Sequence, residues 1–314
     1  MALTATRLDD FEVGTFIRQL EDLEQQIDRV ERPGQDFAKG KFFQVEVLNK
    51  PWAKTWTYRQ VTYVGAFQMI RNYTTDIPVV DVLWQEFTKR IFKWGGGYNF
   101  SDDDVAAVTR MGQSLETEKI YGVNEASDQK LNELIAFGDP VAEMPGFLNH
   151  PDCLYSYAPF PLNSAATADQ HLSVLHDAAN AVVQLTKQVE RPNTLLMDLQ
   201  TYQFLSSQLI TIGTTTLNKT VLQHFQETNP YISSIEVCNE MEPSMLREYG
   251  VESPRLLIAY DRNPTRIKAK LYQSLTFKEA RRIGTDSWAR PAVFKYGGLD
   301  LRRPYSMHIV ELPE

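Results

Sequence analysis

Cysteine is nearly missing: of 314 residues only Cys153 and Cys238 carry a thiol, and no C-x-x-C spacing exists. Two thiols so far apart cannot build a zinc site by themselves, and a reducing compartment suits them. No run approaches the ~20 consecutive apolar residues that a bilayer span needs. The opening, Met1-Ala2-Leu3-Thr4-Ala5-Thr6-Arg7, lacks the basic-then-apolar build of a signal peptide. A soluble chain with no membrane partner, not exported by that route, is therefore expected. Basic clusters are equally scarce, the densest being Arg281-Arg282 and Arg302-Arg303 in a chain of net charge −8. Sequence-specific DNA reading and an arm that neutralises RNA both need cations gathered on one surface, and neither fits. Glycine and proline, 16 each, are too few for a collagen-like or low-complexity chain.

Catalytic signatures are absent too. His171 and His176 stand five apart, not the four that put two imidazoles on one metal. There is no G-x-S-x-G elbow, and neither cysteine lies in a nucleophile motif. Gly95-Gly96-Gly97 lacks the Lys-Ser/Thr ending of a phosphate loop and reads as a connector. Asp102-Asp103-Asp104 lacks the alternating ligands of a calcium loop and reads as the first turn of a helix capped by Ser101. The expectation is a non-enzyme with no catalytic, cofactor-binding or metal-binding residues.

What is present is a 43% apolar chain long enough for about two domains. In residues 1–40, Val13, Phe16, Leu20, Leu23, Ile27 and Val30 recur at spacings of three and four, one apolar stripe of a helix that Arg32-Pro33-Gly34 ends. Such a helix either lies on its own domain or is an arm that docks on a neighbouring subunit. Phe43, Val45 and Val47 alternate with polar residues as in a strand, and Thr55–Val64 is rich in β-formers. At ~3.3 Å per residue that second strand is about 33 Å long. It carries polar side chains on both faces, which suits a hairpin covered by another chain. Residues 101–137 read as one long helix, weakened in the middle by Gly122 and the 124–128 stretch, with Val105, Val108, Met111 and Leu115 facing inward and Gly138-Asp139-Pro140 as its stop. From residue 150 helices (168–189, 201–210, 217–227) alternate with short strands (194–197, 232–237, 255–260), and 267–312 breaks into strands. The class is α+β in two parts, without internal repeats.

The order of these parts, and several local phrases, resemble tailed-phage or prophage major capsid proteins of the Hong Kong 97-type fold. Gly65-Ala66, Asn72 and Asp76-Ile77-Pro78-Val79-Val80-Asp81-Val82 resemble the segment leaving that family's extended loop. Leu115-Glu116-Thr117-Glu118-Lys119, Asn132 and Phe137-Gly138 resemble its spine helix, and Pro145-Gly146-Phe147-Leu148-Asn149-His150-Pro151 the turn after it. Trp288, Pro291, Gly297-Gly298-Leu299 and Pro304 resemble its closing segment.

The resemblance implies an N-terminal arm (1–40), an extended loop (41–75), a peripheral domain (76–149 and 263–314) and an axial domain (150–262). It implies copies arranged as hexamers and pentamers in an icosahedral shell around double-stranded DNA, found in the virion after assembly in the host cytoplasm. Portal, scaffolding and decoration proteins would be partners, and packaged DNA would be touched only non-specifically. Trp52, Trp56 and Tyr58 of the loop, with Phe16, Leu20 and Leu23 of the arm, would be buried against adjacent subunits. Lys50 and Lys54, near the expected hairpin tip, are read as solvated rather than as the cross-linking lysines of some relatives. The alternatives are an encapsulin-like compartment with an enzyme as cargo and a two-domain enzyme acting on a small polar substrate.

Overall fold

Phe37, Phe42, Phe43 and Phe147 form a ring cluster with centroid separations from 4.7 to 5.9 Å. The computed structural model describes residues 34–67, 69, 79–101, 103, 115–212, 215–251 and 253–313. The stripe from Val13 to Val30, Asn72, 76–78 and the helical positions Val105, Val108 and Met111 lie outside the described residues. Residues 35–314 pack as one unit.

In chain order the principal elements are β1 (Val45–Val47), β2 (Thr55–Val64), β3 (Asp81–Arg90), β4 (Phe92–Ser101) and α1 (Leu115–Ala136). Then come β5 (Leu154–Tyr157), α2 (Ala168–Leu185), β6 (Thr194–Met197), α3 (Leu199–Ser207), α4 (Val221–Thr228), β7 (Ser234–Val237) and β8 (Arg255–Tyr260). The chain finishes with β9 (Ile267–Phe277), β10 (Ser287–Leu301) and β11 (Met307–Leu312).

A first sheet joins β1, β9, β10 and β4, with Arg281–Arg282 on an edge of β10. Here the strand at 45–47 runs parallel to β9, Val45 beside Ala269, and does not pair with β2 as a hairpin would require. The three glycines expected as a connector instead lie inside β4, with Gly97 opposite Pro291. A Cβ on Gly97 would come within 2.6 Å of the Arg290 carbonyl oxygen, so only glycine lets the strands approach this closely. Ser101 ends β4, paired with Ser287. The described part of the long helix is α1, and it stops before Gly138 as its punctuation requires.

The second sheet has the order β7-β6-β8-β11-β5. Its inner strands β6 and β8 are largely apolar because both faces are covered, whereas the edge strands β7 and β5 carry polar residues and are less buried. Leu196, Leu256, Ile258, Met307 and Ile309 enter one core with α1 and the phenylalanine cluster. Leu195, Met197, Leu257, Ala259, Val310 and Leu312 enter another, beneath α2 to α4. Because β11 pairs with both β8 and β5, the end of the chain belongs to this sheet. The expected peripheral segment 263–314 is therefore divided at 302–306.

Two helices start with the S/T-x-x-E/Q pattern of a capping box, Thr167 with Gln170 and Thr220 with Gln223. These caps place the starts of α2 and α4. Strand Leu209–Ile212 takes residues expected at the end of the 201–210 helix.

Candidate assembly ribbon

Strands β2 and β3 form a two-stranded antiparallel ribbon, from Thr55 opposite Arg90 at the root to Val64 opposite Asp81 at the tip. Among the described residues they belong to no larger sheet. Cross-strand pairs hold the middle: Tyr58 stacks on Phe87 at 5.0 Å, Thr57 bonds Thr88 at 2.9 Å, and Arg59 meets Glu86 at 2.6 Å. Each such pair contributes roughly 0.2–1 kcal/mol.

The root is fastened to the body. Trp56 is 6% exposed, and its indole N–H donates to the Gly297 carbonyl at 2.8 Å. The Lys270 ammonium lies 3.7 Å from the centre of the Trp56 ring, a cation–π contact, and is itself paired with Asp300 at 3.0 Å. From β3, Lys89 donates to the Leu299 carbonyl at 2.9 Å, and burial pushes its ammonium below the usual lysine range. Gly297 has no room for a side chain: a Cβ there would lie 2.6 Å from the Tyr272 ring and 3.2 Å from the Trp56 nitrogen. The Gly297-Gly298-Leu299 phrase is thus the socket that receives the ribbon.

Beside the socket, His150 is buried and shares a cleft with Lys89, Arg90, Asp152 and Leu299. The Asp152 N–H donates to His150 Nδ1 at 3.3 Å, so in the neutral ring the proton sits on Nε2. Burial, reinforced by the Lys89 charge, pushes the imidazole down to about 4.

The tip differs. On the face that carries Val61 and Tyr63, the opposing residues are Trp84 and Val82; Val61 is half-buried, and the other three are exposed. Tyr63 is 74% exposed and Trp84 66%, and beyond them Phe67, Met69, Val79 and Val80 are exposed as well. An apolar patch of this kind marks an interaction surface.

The residues expected at subunit contacts are therefore separated. Trp52 is 75% exposed, and Tyr58 is half-buried in the ribbon. Trp56 corrects the expectation: Gly297 and Lys270 of its own chain already enclose it. Phe16, Leu20 and Leu23 lie outside the described residues. Lys50 and Lys54 are at the root, not the tip, since the Lys50 N–H bonds Tyr272 O and the Ile91 N–H bonds Lys54 O. Sequence reasoning missed Trp84, Val82 and Leu83. The signal was available in the β-rich run Asp81–Arg90, whose pairing with β2 doubles the apolar tip.

The family model that matches residues 65–311 is described as major capsid protein. Among solved structures, the chain is similar to the capsid of Myoviridae phage XM1, at 16% identity and TM-score 0.76, covering 94% of this chain and 98% of that one. It is similar to the capsid of a native GTA particle at 9% identity and TM-score 0.62, covering 94% and 95%. The Mycobacterium phage Bobi structure gives 14% identity and TM-score 0.58, covering 97% and 98%. No curated protein matches.

Proposed function

Because this chain belongs to the major capsid protein family, it is a structural shell protein of the virion and not an enzyme, and we propose that its ribbon is the clasp between copies. The two-domain enzyme reading falls with that assignment. The observation that carries the clasp is the exposed trio Tyr63, Val82 and Trp84 beside half-buried Val61, with the apolar tip beyond. Covering such a surface stabilises contacts by ~25 cal/mol per Å2, and stable interfaces bury roughly 1,600 Å2. A neighbouring copy is the occupant favoured by a shell built from many identical chains. Trp52, Tyr58 and the leading segment with Phe16, Leu20 and Leu23 would add contacts to adjacent copies.

In this reading the first sheet with α1 is the peripheral domain, the second sheet with its helices is the axial domain, and the extended loop runs through residues 55–90. Copies gather as hexamers and pentamers around double-stranded DNA. The net charge of −8 supports a wall that touches packaged DNA only non-specifically and does not trap it during filling. Portal, scaffolding and decoration proteins complete the set of partners.

The test is the double variant Tyr63→Ser with Trp84→Ser. It leaves the unassembled chain folded, with an unchanged melting temperature, and abolishes closed particles in negative-stain micrographs. Particles at the yield of the unaltered chain would overturn the clasp.

A further inference from the structure

We propose that Glu190 is a positioning residue that fixes how the second sheet sits against the first. Two connections run directly between these sheets: 261–266 from β8 to β9, and 302–306 from β10 to β11. Each brings one arginine to the same carboxylate. Arg266 Nε stands 2.9 Å from Glu190 Oε2, while Arg303 Nη1 bonds Glu190 Oε1. The Glu190 side chain is 1% exposed, against 24% for Arg266 and 41% for Arg303.

The loop that presents Glu190 is shaped for the purpose. Lys187 and Gln188, at φ 51° and 69°, both occupy the left-handed region, an uncommon choice for two successive residues with a Cβ. The Gln188 N–H returns to Val183 O at 2.8 Å, and the Glu190 N–H bonds Thr186 Oγ1 at 3.1 Å. A neighbouring bond set ties the first connection to the same region. Asn193 Nδ2 donates to Asp261 Oδ1 at 2.7 Å, the Arg262 N–H donates to Asn193 Oδ1 at 2.9 Å, and Asp261 Oδ2 lies 3.8 Å from Arg266 Nε.

The physical need is direction. The core between the sheets is apolar, and apolar attraction scales with area without fixing a relative orientation. The charge-assisted hydrogen bond from Arg303 is directional, the Arg266 guanidinium adds a close ion pair without a hydrogen bond, and together they tie both connections to one carboxylate.

Hydrogen exchange on the unassembled full-length chain tests this. Glu190→Gln, close to isosteric, gives at least tenfold faster exchange at the Arg266, Ile267 and Ser306 amides while the amides of α2 and β6 keep their rates. Arg303→Lys, which should fold whatever the fate of the first variant, accelerates Ser306 more than Ile267. Unchanged exchange at both connections, or equal acceleration throughout the chain, overturns the assignment. Its consequence for the shell rests on the reading above: Glu190→Gln particles show at least a twofold wider spread of diameters in electron micrographs. An unchanged spread overturns the role in shell geometry, whereas failure of the unaltered chain to form particles would sink the shell-clasp reading itself.

Discussion

Two tryptophans on one ribbon have opposite surroundings. Trp56, at the root, is enclosed by Gly297, Tyr272 and Lys270 of its own chain, whereas Trp84, near the tip, is 66% exposed. Both sit in β-rich strands, and both are large apolar groups whose burial yields a few kcal/mol. What separates them is the strand's distance from a socket: the root reaches Gly297, and the tip outruns the body. A side chain's chemistry states how strongly it wants cover, while the fold decides which molecule provides it.

The contrast can be broken at several points. Trp56→Ala should cost the unassembled chain about 3–5 kcal/mol in urea unfolding, the range for emptying a buried aromatic site. A loss below about 1 kcal/mol would mean the root is not fastened as described. The next effect is pH-dependent. His150 stays neutral in the fold down to about 4, while the unfolded chain takes up a proton near its ordinary value of 6.5. Stability is therefore full above pH 6.5, falls as pH drops from 6.5 to 4, and levels off below. The span is on the order of 3 kcal/mol at one unit per 1.36 kcal/mol. Burial also lowers His171, His176 and His308, which act in the same direction. His150→Gln, which keeps an acceptor for the Asp152 N–H, should flatten the curve measured by thermal melts across that window. Smallest is Thr57→Ala with Thr88→Ala, an exposed pair in mid-ribbon, expected to shift subunit stability by under about 1 kcal/mol. A larger shift would show that the middle of the ribbon, like its root, leans on the body.

Most strands and helices of the α/β part were legible because their signals are local, although Leu209–Ile212 and Thr215–Thr220 are strands where helix residues were expected. Continuous apolar runs such as Leu195-Leu196-Met197 and Leu256-Leu257-Ile258-Ala259 mark strands covered on both faces, whereas the caps Thr167 and Thr220 were missed and the helix after Thr220 was expected to begin earlier, at residue 217. Pairing was not legible. The strand at 45–47 and β2 are neighbours in sequence, yet one joins β9, more than 200 positions on, and the other joins β3. Nor could composition reveal that the triplet Gly95-Gly96-Gly97 lies in a strand and that its Gly97 serves close strand approach, since glycine marks a connector equally well. The socket at Gly297 was visible only as a phrase shared with a family. Its reason, the indole of Trp56 some 240 positions earlier, needs coordinates.

The insertion of β11 between β8 and β5 has a consequence for synthesis. While the ribosome is still upstream of residue 307, the second sheet lacks an inner member, and β5 has no strand to join. Such long-range closure is slow relative to local helix formation. Translation order thus delays completion of this lobe until residue 312 has been added, so truncated products would lack a finished surface to offer a growing lattice.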